Sequence, residues 1–293
     1  MDYSPPFFIL ANPRSGSSLF RIICDCNSQL SVPPESGFLV WWSSKYGTVT
    51  AEELADFNFL EVLVSDILSS KKIETWGLEK QVLLQYIVEH SPENYAEVAS
   101  LVYYFQAGIR DKKPKRWGDK NNYYIHHLAE LVTLYPKAKF IHLVRDGRDV
   151  ACSYKNLKKI DSNSPYFPHL TDEIEAIAHE WSGNNRKIAA FLKGIDTENV
   201  LQVRYEDLLL DLKATSEVVC SFLEVNFDET MLRYYELNAK NAIEPAKTLD
   251  WKKKTLQQPD TSKIGQYKAQ LTSEELKTFH AVAQTTLSTY HYE

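Results

Sequence analysis

A chain of 293 residues with 44% hydrophobic and 25% charged side chains has the apolar content for one large α/β domain or two small ones. Its 33 Lys and Arg against 39 Asp and Glu give a net charge of −6, which excludes a generally basic surface for nucleic acid and leaves any polyanion to a local basic patch. No apolar run approaches the ~18 residues of a membrane span, and no basic segment precedes a long apolar stretch at the N-terminus, so neither a span nor a signal peptide is expected. The four cysteines, Cys24, Cys26, Cys152 and Cys220, lack metal-ligand spacing and read as reduced thiols of a cytoplasmic protein.

The first element is a buried strand over residues 7–11, FFILA, closed by Pro5 and Pro6 on one side and Asn12 and Pro13 on the other. Arg14, Ser15, Gly16, Ser17 and Ser18 follow, and Leu19, Ile22 and Ile23 resume at helical spacing. Strand, polar turn and helix N-terminus make an anion site, because first-turn amides have no intrahelical acceptor and the helix dipole favours negative charge. Gly16 permits close backbone approach, Arg14 adds a fork of donors, and the serines add hydroxyls. The bland alternative is an ordinary turn with serine as the helix cap. With one glycine and no Lys-Ser/Thr after it, the turn does not read as a nucleoside-triphosphatase loop.

Farther along, Pro33 and Pro34 hold the chain extended before Glu35, either a solvated loop carboxylate or a base beside the anion site. Residues 40–113 read as a helical insertion, with apolar faces at Leu54, Phe57, Val64, Ile67 and Leu68, then Leu83, Leu84, Ile87 and Val88, then Val98, Leu101, Val102 and Phe105. Lys112, Lys113, Lys115 and Arg116 read as a solvated loop, the alternative being a run that attracts an acidic acceptor. Lys120 falls at a junction before a helix predicted over 122–135, where a cation does nothing for helix stability. His126 and His127 are adjacent in that helix and so do not share a metal.

A second strand is predicted over 139–144, followed by Arg145 at its carboxyl end, Asp146 as an N-cap with Asp149 near capping-box spacing, and Ser153 two turns into a helix. The alternative is a surface Arg-Asp network. Two anion sites on neighbouring strand ends suggest a ligand with two separated phosphates. A long helix over 171–194, a strand over 199–204 and a helix from Tyr205 come next. Periodicity then fades over 238–273, where Lys252, Lys253, Lys254 and Lys263 make a basic irregular stretch of the kind that forms lids. A final helix covers 273–287.

The opening turn, RDGRDVACS and RYEDLLLD, in this order, resemble the sulfotransferases that use 3′-phosphoadenosine 5′-phosphosulfate (PAPS), in the branch with carbohydrate and protein-tyrosine sulfotransferases. The resemblance covers most of the chain and implies a single domain over 1–293. Its fold would be α/β, a central parallel sheet flanked by helices, related to P-loop kinases. It assigns the 5′-phosphosulfate to the turn from Arg14 to Ser18 and the 3′-phosphate to Arg145 and Ser153. It gives nucleotide contact to Tyr205 and cofactor closure to Lys263, Ile264 and Gly265, although the Lys-Gly-x-x-Gly form of many cytosolic members is missing. Lys120 matches the lysine on the sulfonyl oxygens. Asn122 stands where small-molecule members carry a histidine base, and Glu35 matches the glutamate base of the protein-tyrosine branch. In-line transfer to a carbohydrate, peptide or small-molecule hydroxyl is implied, with product 3′-phosphoadenosine 5′-phosphate (PAP) and no metal. The rivals are a small-molecule kinase and a non-catalytic PAP-binding protein. Acceptor and oligomeric state are not legible.

Overall fold

The apolar run near the N-terminus forms strand β1, Phe7–Leu10, whose four side chains are all fully buried. The structure, a computed structural model, describes residues 4–292. In chain order β1 is followed by α1 (Ser17–Asp25), β2 (Leu30–Ser31), the longer helices α2 (Phe57–Leu68), α3 (Lys80–His90) and α4 (Tyr95–Ile109), and β3 (Arg116–Lys120). Then come β4 (Lys139–Val144), α5 (Gly147–Leu157), α6 (Ile174–Leu192), β5 (Val200–Arg204), α7 (Tyr205–Leu210), α8 (Leu212–Phe222) and α9 (Ser273–Thr289), with short helical turns between. The strands lie in the order β2-β3-β1-β4-β5 and every neighbouring pair is parallel. The expected α/β architecture, a central parallel sheet flanked by helices, is therefore present.

The strand period of two divides the core between the two faces of the sheet. Phe8 and Leu10 join Trp117, Phe140 and the apolar faces of α2, α3 and α4 on one side. Phe7 and Ile9 join Ile141, Leu143 and Val203 on the other, under α1, α7 and α8. A third cluster packs α5, α6 and α9 together around Trp181 and Phe279. Four rings surround Phe8, those of Trp117, Tyr124, Tyr135 and Phe140, with centroids 5.8–6.0 Å away.

The chain leaves β1 toward β2 at one edge and leaves β4 toward β5 at the other. The carboxyl ends of β1 and β4 thus flank a topological switch point, where open parallel sheets leave a crevice.

Three local expectations differ from the structure. Residues 116–120, RWGDK, form β3 and every one of them is buried. Arg116 is covered by bonds to the carbonyls of Pro5 and Leu223 and an ion pair with Glu224, so it is no solvated loop residue, and Lys112 is likewise turned in onto Asp25. Lys120 accordingly ends a strand. The helix predicted over 122–135 is broken: a 3-10 turn over Asn122–His126, capped by the Asn121 side chain, stops at His127, and an α-helix restarts over Leu128–Leu134. Finally, most of the helical stretch 40–113 lies within the crossover that joins β2 to its parallel neighbour β3, and its helices wall one face of the sheet.

Among the described residues no helix is long and apolar enough to cross a membrane. Phe8→Ala removes the ring shared by four aromatic neighbours. It should lower the unfolding free energy by about 3–5 kcal/mol, read from urea denaturation.

Candidate active site

After β1 the chain turns sharply. Arg14 takes φ 65° and Gly16 φ 88°, both left-handed, and the Ser15 amide donates to the Asn12 carbonyl at 3.2 Å. The conformation costs little at glycine, and space also demands it: a β-carbon on residue 16 would lie 2.2 Å from Cε2 of Tyr205. Gly16 is the N-cap of α1 and no side chain caps it. The serine cap considered from sequence is thus not made, and no side chain competes with an anion for the first-turn amides. The Ser15 hydroxyl is buried without a hydrogen-bond partner.

Arg145 leaves the end of β4 beside this turn. Its Nη1 donates to the Arg14 carbonyl at 3.3 Å and its guanidinium stacks on the Tyr205 ring, 4.5 Å from the centroid. Its Nε and Nη2 are buried with no partner. The main chain is fixed by Trp181 Nε1, which donates to the Arg145 carbonyl at 3.0 Å. Arg14 donates from Nε to Ser153 Oγ at 3.2 Å and from Nη2 to the Trp251 carbonyl at 3.3 Å. Burial, together with the neighbouring Arg145 charge, lowers Arg14 to about 10. Sequence reasoning assigned Arg14 and Ser153 to opposite ends of a ligand; here they touch, so Arg14 spans the two strand ends. Asp146 caps α5 through the Arg148 amide at 2.9 Å, as expected. Asp149 completes no capping box and instead accepts from the amides of Gly265 and Tyr267 at 2.8 and 3.0 Å.

Lys120, at the end of β3, ion-pairs with Oε1 of Glu35 and lies 3.4 Å from Ser18 Oγ on the anion turn. Lys72 holds the other carboxylate oxygen, Oε2, at 3.0 Å. Burial alone would raise Glu35, but Lys120, Lys252 and Lys72 outweigh it and hold the carboxyl well below its usual range. Burial lowers Lys120 to about 8 despite the opposing pull of Glu35. Ser17 Oγ donates to Asn122 Oδ1 at 3.4 Å. On the far side of β3, Asp119 accepts from the phenols of Tyr103 and Tyr124, and burial raises it to about 6. One cavity of about 250 Å³ is lined by Arg14, Gly16, Ser17, Ser18, Glu35, Lys120, Arg145, Ser153 and Tyr205 together, with Lys72, Asn122, Tyr166, Trp251, Lys252 and Lys254 completing its wall.

The profile of the Sulfotransferase family matches residues 5–229. The chain belongs to the sulfotransferase family. Protein-tyrosine sulfotransferase A of Caenorhabditis elegans is 21% identical over 239 residues, 81% of this chain and 54% of the relative, so the chain spans about half that relative's length. Among solved structures, the sulfotransferase domain from the curacin biosynthetic pathway aligns over 100% of this chain and 99% of its own, with TM-score 0.58 and 22% identity. Mouse sulfotransferase SULT7A1, complexed with PAP, aligns over 98% and 85%, with TM-score 0.52 and 14% identity. Both likenesses show the fold.

Within this sulfotransferase fold, Lys263, Ile264 and Gly265 lie past the matched residues and do not line the cavity. Ile264 packs on the core under α1, Gly265 is pinned by Asp149, and Lys254 is lowered by burial first and then by the charges of Arg145, Lys263 and Arg14. Sequence reasoning missed Lys72, Tyr166 and Trp251, which come from segments without a motif. Lys252 and Lys254 were visible only as part of a basic irregular stretch.

The orphaned donors of Arg145 make a direct prediction. With the 3′-phosphate on Arg145, as the resemblance implies, Arg145→Ala should abolish a preference for PAP over adenosine 5′-phosphate in calorimetric titrations. At about 1.5–3 kcal/mol per lost charged hydrogen bond, PAP affinity should fall by roughly ten- to a hundredfold or more.

Proposed function

We propose that the protein moves a sulfonyl group from PAPS to an acceptor hydroxyl on a carbohydrate, peptide or small molecule. The observation that carries this reading is the meeting, in one cavity, of an uncapped helix N-terminus, two adjoining arginines and a lysine–glutamate pair. The residues suit the donor: Arg145 Nε and Nη2 and Ser15 Oγ are buried polar atoms without partners. The PAP bound to mouse SULT7A1 supports the same choice of nucleotide.

When bound, the donor supplies the sulfonyl group, and its adenosine bisphosphate is the leaving group. The α1 amides with Arg14, Ser17 and Ser18 would hold the phosphosulfate end, Arg145 and Ser153 would hold the 3′-phosphate, and Tyr205 would contact the nucleotide. The segment through Lys263, Ile264 and Gly265 closes the basic stretch over it. Glu35 is ionised throughout the neutral range, which a proton acceptor requires, and takes the acceptor's hydroxyl proton. Lys120 and Arg14 offset charge that develops around the reacting group, and no metal is assigned a part. While Lys120 sits on Glu35 the carboxylate is a weak base. An anion on the turn competes for that ammonium, and Glu35 gains basicity as the ammonium turns away. Tyr166, Pro168 and Leu170 form the apolar wall that receives the acceptor. Because the curated relative is named for protein-tyrosine sulfation, tyrosyl peptides head the acceptor panel.

Labelled-sulfate transfer from PAPS to that panel, read by mass spectrometry, tests the reading. PAP binding with no transfer to any acceptor would leave only a nucleotide-binding protein. Glu35→Gln should lower kcat by about 10²–10⁴-fold while PAP affinity persists, and near-normal turnover would move the base elsewhere. Lys120 must be charged to act, so kcat/KM for the donor should fall as pH rises through about 8. The corresponding limb in kcat should lie higher, because a bound anion favours the ammonium form. Turnover should survive EDTA.

A further inference from the structure

The turn that ends the SerLysLys run at residues 70–72 lies far from every motif that identified the family, yet it reaches the base. Lys72 has φ 70°, a left-handed backbone on a residue with a full side chain. The turn is fixed from both sides. The Lys72 carbonyl accepts from Thr75 N at 3.0 Å and from Thr75 Oγ1 at 2.7 Å, and Ile73 N donates to the Ser70 carbonyl at 3.1 Å. Trp76, one helical turn on, donates from Nε1 to the Pro34 carbonyl at 2.9 Å. The helical layer therefore grips the main chain just before Glu35 and places an ammonium 3.0 Å from Glu35 Oε2.

Glu35 has one cation on each oxygen, from different parts of the fold. Lys120 on Oε1 belongs to the sheet and also touches the anion turn; Lys72 on Oε2 belongs to the crossover. A third lysine, Lys252, also acts on Glu35 but is engaged by Glu244 at 2.6 Å, and Glu244 is in turn held by Arg21. The negative neighbours of the pair are Asp119 and Glu244. Left-handed backbone also occurs at Ser91, Asp111, Glu224 and Ala242, so what sets Lys72 apart is the ammonium it places on the Glu35 carboxylate.

We propose that Lys72 is the positioning residue of the base: it holds Oε2 of Glu35 so that Oε1 alone faces Lys120 and the acceptor. This rests on the reading of Glu35 as proton acceptor. Lys72 keeps the carboxylate oriented and charged after Lys120 turns toward an anion on the first loop. A carboxylate freed of both cations would rotate and would be protonated at higher pH.

The test compares wild type with Lys72→Met and Lys72→Arg. Carbon-13 NMR of carboxyl-labelled glutamate, assigned with Glu35→Gln, follows the Glu35 titration directly. Glu35 in Lys72→Met should titrate above wild type, since an adjacent opposite charge is lost while Lys120 and Lys252 remain. PAP affinity should be unchanged, kcat at neutral pH should fall about tenfold or more, and Lys72→Arg should restore both titration and turnover. An unmoved Glu35 titration in Lys72→Met overturns the inference, and so does a loss of PAP binding that matches the loss of kcat. Absence of transfer by wild type would sink the parent reading instead, leaving the NMR titration to decide whether Lys72 governs the carboxylate.

Discussion

Two guanidinium groups stand side by side at the ends of β1 and β4, and the rest of the site follows from the way they are held. Arg145 donates to the Arg14 carbonyl and lies on the Tyr205 ring, while that ring fills the hollow above Gly16. Protein atoms meet Arg14 with a hydroxyl and a carbonyl, and they leave two donors of Arg145 unmet. Burying two like charges opposes folding, and the carboxylates of Asp149 and Glu206 near Arg145 offset this only in part. The parallel pairing of β1 with β4 and the wedge of Tyr205 hold them together regardless, which leaves a deficit that a bound anion would relieve. The same contact explains why residue 16 must be glycine: its conformation and the ring above it both exclude a β-carbon.

The second pole of the site is built differently. Glu35 follows two prolines after a two-residue edge strand, and only long-range partners fix it. Lys120 reaches it from β3, Lys72 and Trp76 from the crossover, and Lys252 from the basic stretch behind. The helical crossover is thus a core layer on its inner side and a wall of the cavity at its rim. Packing and chemistry meet on β3 itself. Trp117 and Asp119 face the helical layer, where Asp119 takes two tyrosine phenols, and Lys120 faces the cavity.

The elements legible in the sequence were those whose signal is local. β1, β4 and β5 announce themselves as apolar runs closed by breakers or turn residues, and Arg14 and Arg145 could be placed because each follows such a run. β3 carries Arg116, Asp119 and Lys120 in five residues, a composition that reads as a loop, because each charge is satisfied by a partner distant in sequence. β2 is too short to show a period. The break at His127, where the backbone leaves helical geometry at φ −133°, is something apolar spacing does not report. Glu35 emerged only through resemblance, since a carboxylate after prolines is usually solvated. Lys72 left no trace, because its meaning lies wholly in a contact across 37 positions.

The basic stretch between Glu244 and Gly265 is fastened at both ends. Glu244 is buried against Arg21 of α1, Gly265 is held by Asp149 of α5, and between them the Trp251 carbonyl sits on Arg14. A span tied down in this way cannot swing aside like a flap; it can only arch. A ligand entering the cavity beneath it would have to break the Trp251 contact and let it reform. Segmental motion of this kind runs on microsecond-to-millisecond timescales and commonly sets the pace of enzymes with buried cofactors.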